Sequence, residues 1–385
     1  MLQTLTARRL LTPIGTIEFP VITIDPYGLI ADISSDPSIQ SEDILTPTFL
    51  DIHIHGCASH DIMEATPAAF TAVNTFLATR GVGRYLPTTV TAPIDPTLRS
   101  LEDIATAIEA PATPGQAIPI GIHLEGPFIS HAKRGVHPVP NILAPDIALF
   151  DRFHQAARGH IRIVTIAPET PNALDLIRHC TALGIKVSLG HSNATTPETL
   201  AAIEAGAASA THTFNAMRAL DHRAPGILGT VLDDDRLFAD LICDGIHVAP
   251  ELVRLWLRMK GEERAILITD GMSATGMPDG IYTLGNLSVE VANNHCLLIE
   301  DGVHTQTLAG SVLTMDQAVA NLQRFTGASL ATAIRLATHN PATLLGLPTH
   351  ITPGQPASFN RFSPNGTLQS TILQGHQIPT PTQLK

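Results

Sequence analysis

Between residues 48 and 270, short β-branched apolar runs alternate with stretches whose apolar positions recur every three to four residues. Runs of the first kind read as buried strands, those of the second as amphipathic helices. Candidate strands fall near 48–53, 84–91, 118–124, 161–167, 186–190, 208–212, 238–243 and 265–270. Helical patterns separate most of them, over Pro67–Thr79, Leu98–Ala110, Pro145–Ala157, Asn172–Leu183, Pro197–Ala205 and Pro250–Met259. The fifth is punctuated by Thr196 as cap, Pro197 in the first turn and Gly206 as stop. The connection around Pro225-Gly226-Ile-Leu-Gly229 reads as short or irregular. Eight alternating units predict an α/β fold of the (β/α)8 TIM-like barrel type over residues 47–347. A doubly wound open sheet is the competing arrangement, but it gives no reason for eight strands. After the eighth strand, Ile281–His304 reads as a hairpin insertion, and helices over Thr314–Phe325 and Leu330–Ala337 close the domain.

The chain ends have a different texture. Gly15–Phe19, Val21–Asp25 and Leu29–Ile33 are short alternating runs broken by Pro26 and Gly28, which are hairpin signals. Leu368–Leu373 and Phe359 sit among Pro and Gly in the same manner. These ends predict a small β-sandwich domain built from residues 1–46 and 348–385.

Composition narrows the function. A chain of 385 residues exceeds the roughly 250–300 residues of a single core, which suits one large domain plus a small one. The net charge of −12 leaves no basic excess for phosphates along a duplex, which argues against a nucleic-acid partner. No apolar run reaches the roughly 18–20 residues that span a bilayer, so a membrane partner is not expected. Met1–Leu10 lacks the order of charge, apolar core and cleavage site of a signal peptide. The four cysteines form no C-x-x-C pair, which disfavours a zinc ribbon or a disulfide framework. Cys57 and Cys243 read as strand-end packing. The expectation is a cytoplasmic enzyme.

The strand ends carry the chemistry. In Phe49-Leu-Asp-Ile-His53-Ile-His55-Gly56, the two imidazoles stand two residues apart and share one face of a strand. Five later runs also end in ligand or acid–base residues: Gly121–Glu125, Val187–His191, Ala208–His212, Leu241–His247 and Ala265–Asp270. A lone histidine beside an apolar face is usually a satisfied rim residue. Six such ends in order are not explained by packing, and a barrel gathers every C-terminal strand end at one mouth. The pattern describes a metal-dependent hydrolase.

Together the motifs resemble the N-acetylglucosamine-6-phosphate deacetylases, a branch of the amidohydrolase superfamily. The resembling segments are Pro47–Gly56 (PTFLDIHIHG), His123–Phe128 (HLEGPF), Lys133–Pro138, Gly190–Ser192, Thr211–Met217 (THTFNAM), Asp244–Val248, Thr269–Gly271 with Ala274–Gly276, Leu308–Ser311 and Asn340–Ala342. HLEGPF with the FNAM segment is specific to these deacetylases, whereas the D-x-H-x-H piece marks only the wider superfamily. Ser358 stands where superfamily tails often carry Asp, and Gly271 where relatives often show Ala.

The resemblance implies the site. Glu125, His191 and His212 would hold one divalent ion as an open three-ligand site. His53 and His55 would hold a second, bridged by Glu125, so one or two ions per subunit are expected. Zn2+ is the leading expectation and Fe2+ or another divalent ion the alternative. Asp270 would take a proton from the attacking water and deliver it to the departing amine. His137 would polarise the acetamide carbonyl. Asn215 and Ala216 (through backbone amides), Arg223 and His247 would hold phosphate, with Val136 also at the substrate and Leu308, Ala309, Gly310 and Ser311 lining the acetyl side. In relatives the arginine reaches in from a second subunit, which implies a homodimer.

The implied reaction is hydrolysis of N-acetyl-D-glucosamine 6-phosphate, a small phosphorylated amino sugar, to D-glucosamine 6-phosphate and acetate. The galactosamine epimer is the nearest alternative, since these motifs do not read one hydroxyl's orientation. Another amidohydrolase acting on a different amide would leave HLEGPF and the phosphate-holding set unexplained. A catalytically dead scaffold would have shed ligands, yet Glu125, His191, His212 and Asp270 are all present.

Overall fold

A computed structural model of the protein describes residues 2–380. Eight parallel strands pair in sequence order: Phe49–Ile54 (β1), Val82–Thr89 (β2), Ile122–Glu125 (β3), Ile161–Ile166 (β4), Lys186–Leu189 (β5), Ala207–Ala210 (β6), Phe238–Ile242 (β7) and Ala265–Ile268 (β8). The ring closes through a parallel bridge between Ile54 and Gly271, backed by the Asp270 N–H donating to the His53 carbonyl at 2.9 Å. All six residues of β1 and all four of β8 are buried. The strand runs are apolar because helices cover them outside and other side chains fill the barrel inside.

Three expectations need correcting. The fifth helix spans Thr196–Glu204, and its cap is Thr195, whose side chain exchanges bonds with Glu198 in a capping box; Thr196 is already helical. The β6–β7 connection contains a helix, Gly226–Asp233, which buries Ile227, Leu228, Val231 and Leu232. Pro225 and Gly226 start this helix rather than interrupt the chain. The insertion after β8 is a four-stranded antiparallel meander, Gly280–Leu284, Leu287–Ala292, His295–Glu300 and Val303–Leu308. It is three consecutive hairpins rather than one.

The terminal segments form two sheets. Gln3–Thr6, Pro20–Ile24 and Ile30–Ser35 make a three-stranded sheet. The second has six strands in the order His376–Pro379, Leu368–Leu373, Phe359–Phe362, Ile44–Pro47, Arg9–Thr12, Gly15–Glu18. Leu10, Ile22, Ile24, Ile30, Leu45, Phe359 and Ile372 form a core between them, separate from that of the barrel. Met1 and residues 381–385 of the expected small domain lie outside the described residues. Among the described residues, no helix is long and apolar enough to cross a membrane.

Candidate active site

Six buried side chains converge at the C-terminal ends of the strands in two triads, Glu125–His191–His212 and His53–His55–Asp270. In the first, His212 Nε2 lies 3.1 Å from Glu125 Oε1 and 3.1 Å from His191 Nε2. His191 Nε2 lies 3.3 Å from the same oxygen. In the second, His53 Nε2 and His55 Nε2 are 3.2 Å apart, and they stand 3.4 and 3.2 Å from Asp270 Oδ1. Glu125 also faces this triad, its two oxygens 3.5 Å from His53 and 3.2 Å from His55.

These distances suit metal ions. Donors 2.0–2.1 Å from a tetrahedral ion stand about 3.3 Å apart. His191 Nδ1 contacts the Lys133 carbonyl at 2.9 Å, and His55 Nδ1 the Thr88 carbonyl at 3.2 Å. A carbonyl only accepts, so each Nδ1 carries the proton and each Nε2 offers its lone pair to the cluster. Lone pairs aimed at one another and at a carboxylate repel unless a cation lies among them.

The backbone is shaped to the task. His191, His212 and Asp270 all follow their strands by two residues and adopt positive φ, at 46°, 32° and 51°. Such conformations cost a non-glycine residue about 1–3 kcal/mol each and cluster at functional sites. They turn the chain at the strand exit and aim the side chain inward. The His212 N–H donates to Asp240 Oδ1 inside the barrel.

His137 is oriented separately. Its Nδ1 accepts the Thr91 N–H at 3.3 Å and the Thr91 hydroxyl at 2.8 Å. Its proton therefore sits on Nε2, which faces Glu125 Oε2 at 3.6 Å. Burial, reinforced by His191, pulls its pKa down to about 3, so the ring stays neutral and can donate from Nε2. Gly126, with φ +72°, makes room: a Cβ there would lie 2.0 Å from the Thr91 hydroxyl oxygen. The glycine of HLEGPF thus permits the contact that fixes His137.

Charge in the cluster is set by burial against neighbours. Burial pushes Asp270 upward, but His53 and His55 outweigh it and hold the carboxyl down at about 2. Glu125 is likewise held well below its ordinary value by His53, His191 and His212 against burial. Two deeper carboxyls go the other way, Asp51 pushed up to about 6 and Asp240 to about 7 by burial.

The phosphate-side residues divide. His247 Nδ1 pairs with Asp244 Oδ2 at 2.6 Å. The Asn215 backbone N–H is already engaged by the His212 carbonyl at 2.9 Å, whereas the Ala216 N–H has no backbone acceptor among the described residues. Ser311 N donates to the Asp270 carbonyl at 2.8 Å and its hydroxyl to the Thr269 carbonyl at 2.6 Å. This lays the Leu308–Ser311 segment against the Asp270 turn, where Ala309 is fully buried and Gly310 has φ 62°. Val136 is buried beside His137. Arg223 is exposed, and among the described residues no hydrogen bond or ion pair ties its side chain to the triads.

Sequence reasoning passed over several supporting residues. Asp51 accepts from the Thr269 hydroxyl at 2.6 Å, bracing β1 against the turn that carries Asp270; its i−2 spacing from His53 was the available signal. His123 bridges the Ile52 carbonyl and the Thr165 hydroxyl at 3.0 and 2.8 Å. Thr91 and Asp240 carry no local signal.

A (β/α)8 barrel with His and carboxylate triads at its mouth is the architecture of a metal-dependent hydrolase. The sequence profile described as the amidohydrolase family matches residues 44–378. An N-acetylgalactosamine-6-phosphate deacetylase of Escherichia coli O157:H7 is 37% identical over 381 residues, covering 97% of this chain and 99% of that protein. An N-acetylglucosamine-6-phosphate deacetylase of Bacillus subtilis is 35% identical over 349 residues, 89% of this chain and 86% of that one. The Mycobacterium smegmatis N-acetylglucosamine-6-phosphate deacetylase, solved as an Asp-to-Ala mutant with N-acetyl-D-glucosamine 6-phosphate, superimposes with a TM-score of 0.91 at 32% identity, covering 98% and 100%. The chain belongs to the amidohydrolase family, in the branch that holds the N-acetylglucosamine-6-phosphate deacetylases.

Proposed function

We propose that the protein hydrolyses the acetamide of N-acetyl-D-glucosamine 6-phosphate to D-glucosamine 6-phosphate and acetate. The observation that carries this reading is the pair of triads meeting at Glu125 beside a neutral, Nε2-protonated His137. A bound divalent ion would acidify water and polarise the amide carbonyl. Glu125, His191 and His212 would hold one ion and His53 and His55 a second, with Zn2+ first among the candidates and Fe2+ next.

The residues then divide the remaining work. His137 Nε2–H donates to the carbonyl oxygen as negative charge develops there. Asp270, 3.2 Å from His55 Nε2 at the cluster's edge, accepts a proton from the attacking water. It returns that proton to the amide nitrogen as the C–N bond breaks, since an unprotonated amine leaves poorly. Leu308–Ser311 walls the acetyl group, with Val136 close by. Ala216 through its N–H meets the phosphate, with His247 and Asn215 beside it, the Asn215 backbone N–H being spent on the His212 carbonyl. Arg223 completes the phosphate grip as a bidentate cation, reaching into the site of a second subunit; its exposed position in one chain supports a homodimer. A reducing cytoplasm suits the four free, buried cysteines.

The 37% identity to the galactosamine-epimer enzyme supports a second reading, the same cleavage on N-acetylgalactosamine 6-phosphate. Acetate release from both 6-phosphates and from the unphosphorylated sugars separates the two. The ratio of kcat/KM values names the epimer. Equal turnover of unphosphorylated sugar would remove the phosphate site from the account.

A further inference from the structure

A second concave site lies at the other end of the barrel. A cavity of about 330 Å3 lies beneath the N-terminal ends of the strands, between the barrel and the terminal β domain. It is lined from the barrel by Thr48, Gly83 and Arg84 and from the small domain by Ile30, Phe359 and Gln374. Arg84 is the third residue of β2, whose other end carries Thr88 and Thr89 towards the catalytic mouth. The cavity is therefore separate from the triads, and its volume falls in the range of small-ligand pockets.

Its chemistry is one-sided. Arg84 is partly buried, and among the described residues its guanidinium has no hydrogen-bond or ion-pair partner. Burial alone acts on its ionisation, lowering the pKa, with no carboxylate to offset it. His339 also lines the cavity and leaves a buried Nδ1 without a partner. Gln116 and Gln355 add amide groups to the wall, and among the described residues no Asp or Glu lines it, in a chain of net charge −12. A guanidinium is costly to desolvate unless something pairs with it. Its planar fork matches a carboxylate or phosphate, and the apolar wall from Ile30, Phe359 and Leu373 suits a carbon body.

We propose that this cavity binds a small organic oxyanion, a carboxylate or phosphate ester with an apolar portion, whose charged end pairs with Arg84. Because it joins barrel to small domain, its occupant would bridge the two.

The test uses the metal-loaded full-length protein and two probes, phenyl phosphate and 4-bromobenzoate, titrated by calorimetry. The expected result is binding of at least one probe, weakened roughly tenfold or more in Arg84→Met and unchanged in Arg178→Met, an exposed surface arginine outside both sites. Silence from both probes, or binding indifferent to Arg84→Met, overturns the proposal. Should Arg84→Met fail to fold, the anomalous bromine signal of 4-bromobenzoate in crystals of the unaltered protein decides. A peak within reach of Arg84 supports the site. A peak only at the catalytic mouth, or none, refutes it.

Discussion

The two triads at the barrel mouth share Glu125 yet are assembled by different means. His53 and His55 owe their juxtaposition to the pleat of one strand, with Asp270 brought alongside where β8 closes on β1. Glu125, His191 and His212 come from three strands, and two of them depend on left-handed backbone just past the strand ends. His191 further relies on the Lys133 carbonyl from a loop, and His212 on Asp240. The His53–His55 pair is local, though Asp270 joins it only across the barrel closure and through its own left-handed turn; the Glu125–His191–His212 triad is a tertiary product throughout. Glu125 is the residue on which both depend.

Altering Glu125 should therefore have the largest effect. Glu125→Gln removes the charge facing both triads, and acetate release should fall about a thousandfold or more, with metal content reduced at both. His191→Asn and the double variant His53→Asn/His55→Asn sharpen the contrast. The first should abolish turnover, while the second should lose one equivalent of metal by elemental analysis and retain the other. Retained turnover in His191→Asn, or loss of all metal in the double variant, would erase the distinction between the triads. Asp270→Asn should cost roughly 10²–10⁴ in kcat, read from initial rates at saturating substrate.

Smaller effects probe the support. Thr91→Val leaves His137 Nδ1 with one donor instead of two, and kcat should drop about tenfold with metal content unchanged. A fall in metal content would instead make Thr91 a support of the triads. The smallest effect concerns Asp244, whose pKa burial raises but whose bonds from His247 and Ile246 bring it below its ordinary value of 3.8. A depressed carboxylate stabilises above the unfolded pKa and loses that contribution as pH falls through the folded value. The stability gap between the parent and Asp244→Asn, measured by denaturant unfolding, should be full above about pH 4 and close below it. A gap that widened on acidification would contradict the assignment.

What the chain reveals on its face follows the same division. The barrel was readable because its strands are continuous β-branched runs separated by capped, periodic helices, as at Pro67–Thr79, whose bounds agree to the residue. The second triad was readable because a period of two is visible in D-I-H-I-H. His191 and His212 could be flagged as strand-end histidines but not joined to Glu125 by spacing alone, and there the resemblance to a family supplied the link. Gly226–Asp233 was missed because a Pro-Gly pair looks the same whether it starts a helix or breaks a loop. Thr91 and Asp240 act through contacts made 46 and 28 residues away, which no local pattern records.

The most direct test of the account strips metal from the protein with a chelator and restores Zn2+ stepwise while acetate release from N-acetyl-D-glucosamine 6-phosphate is followed. The account predicts a stripped protein without turnover, and activity that climbs to a break at one or two equivalents per chain. Full turnover by the stripped protein, or a metal-loaded protein inert towards both hexosamine 6-phosphates, would contradict it.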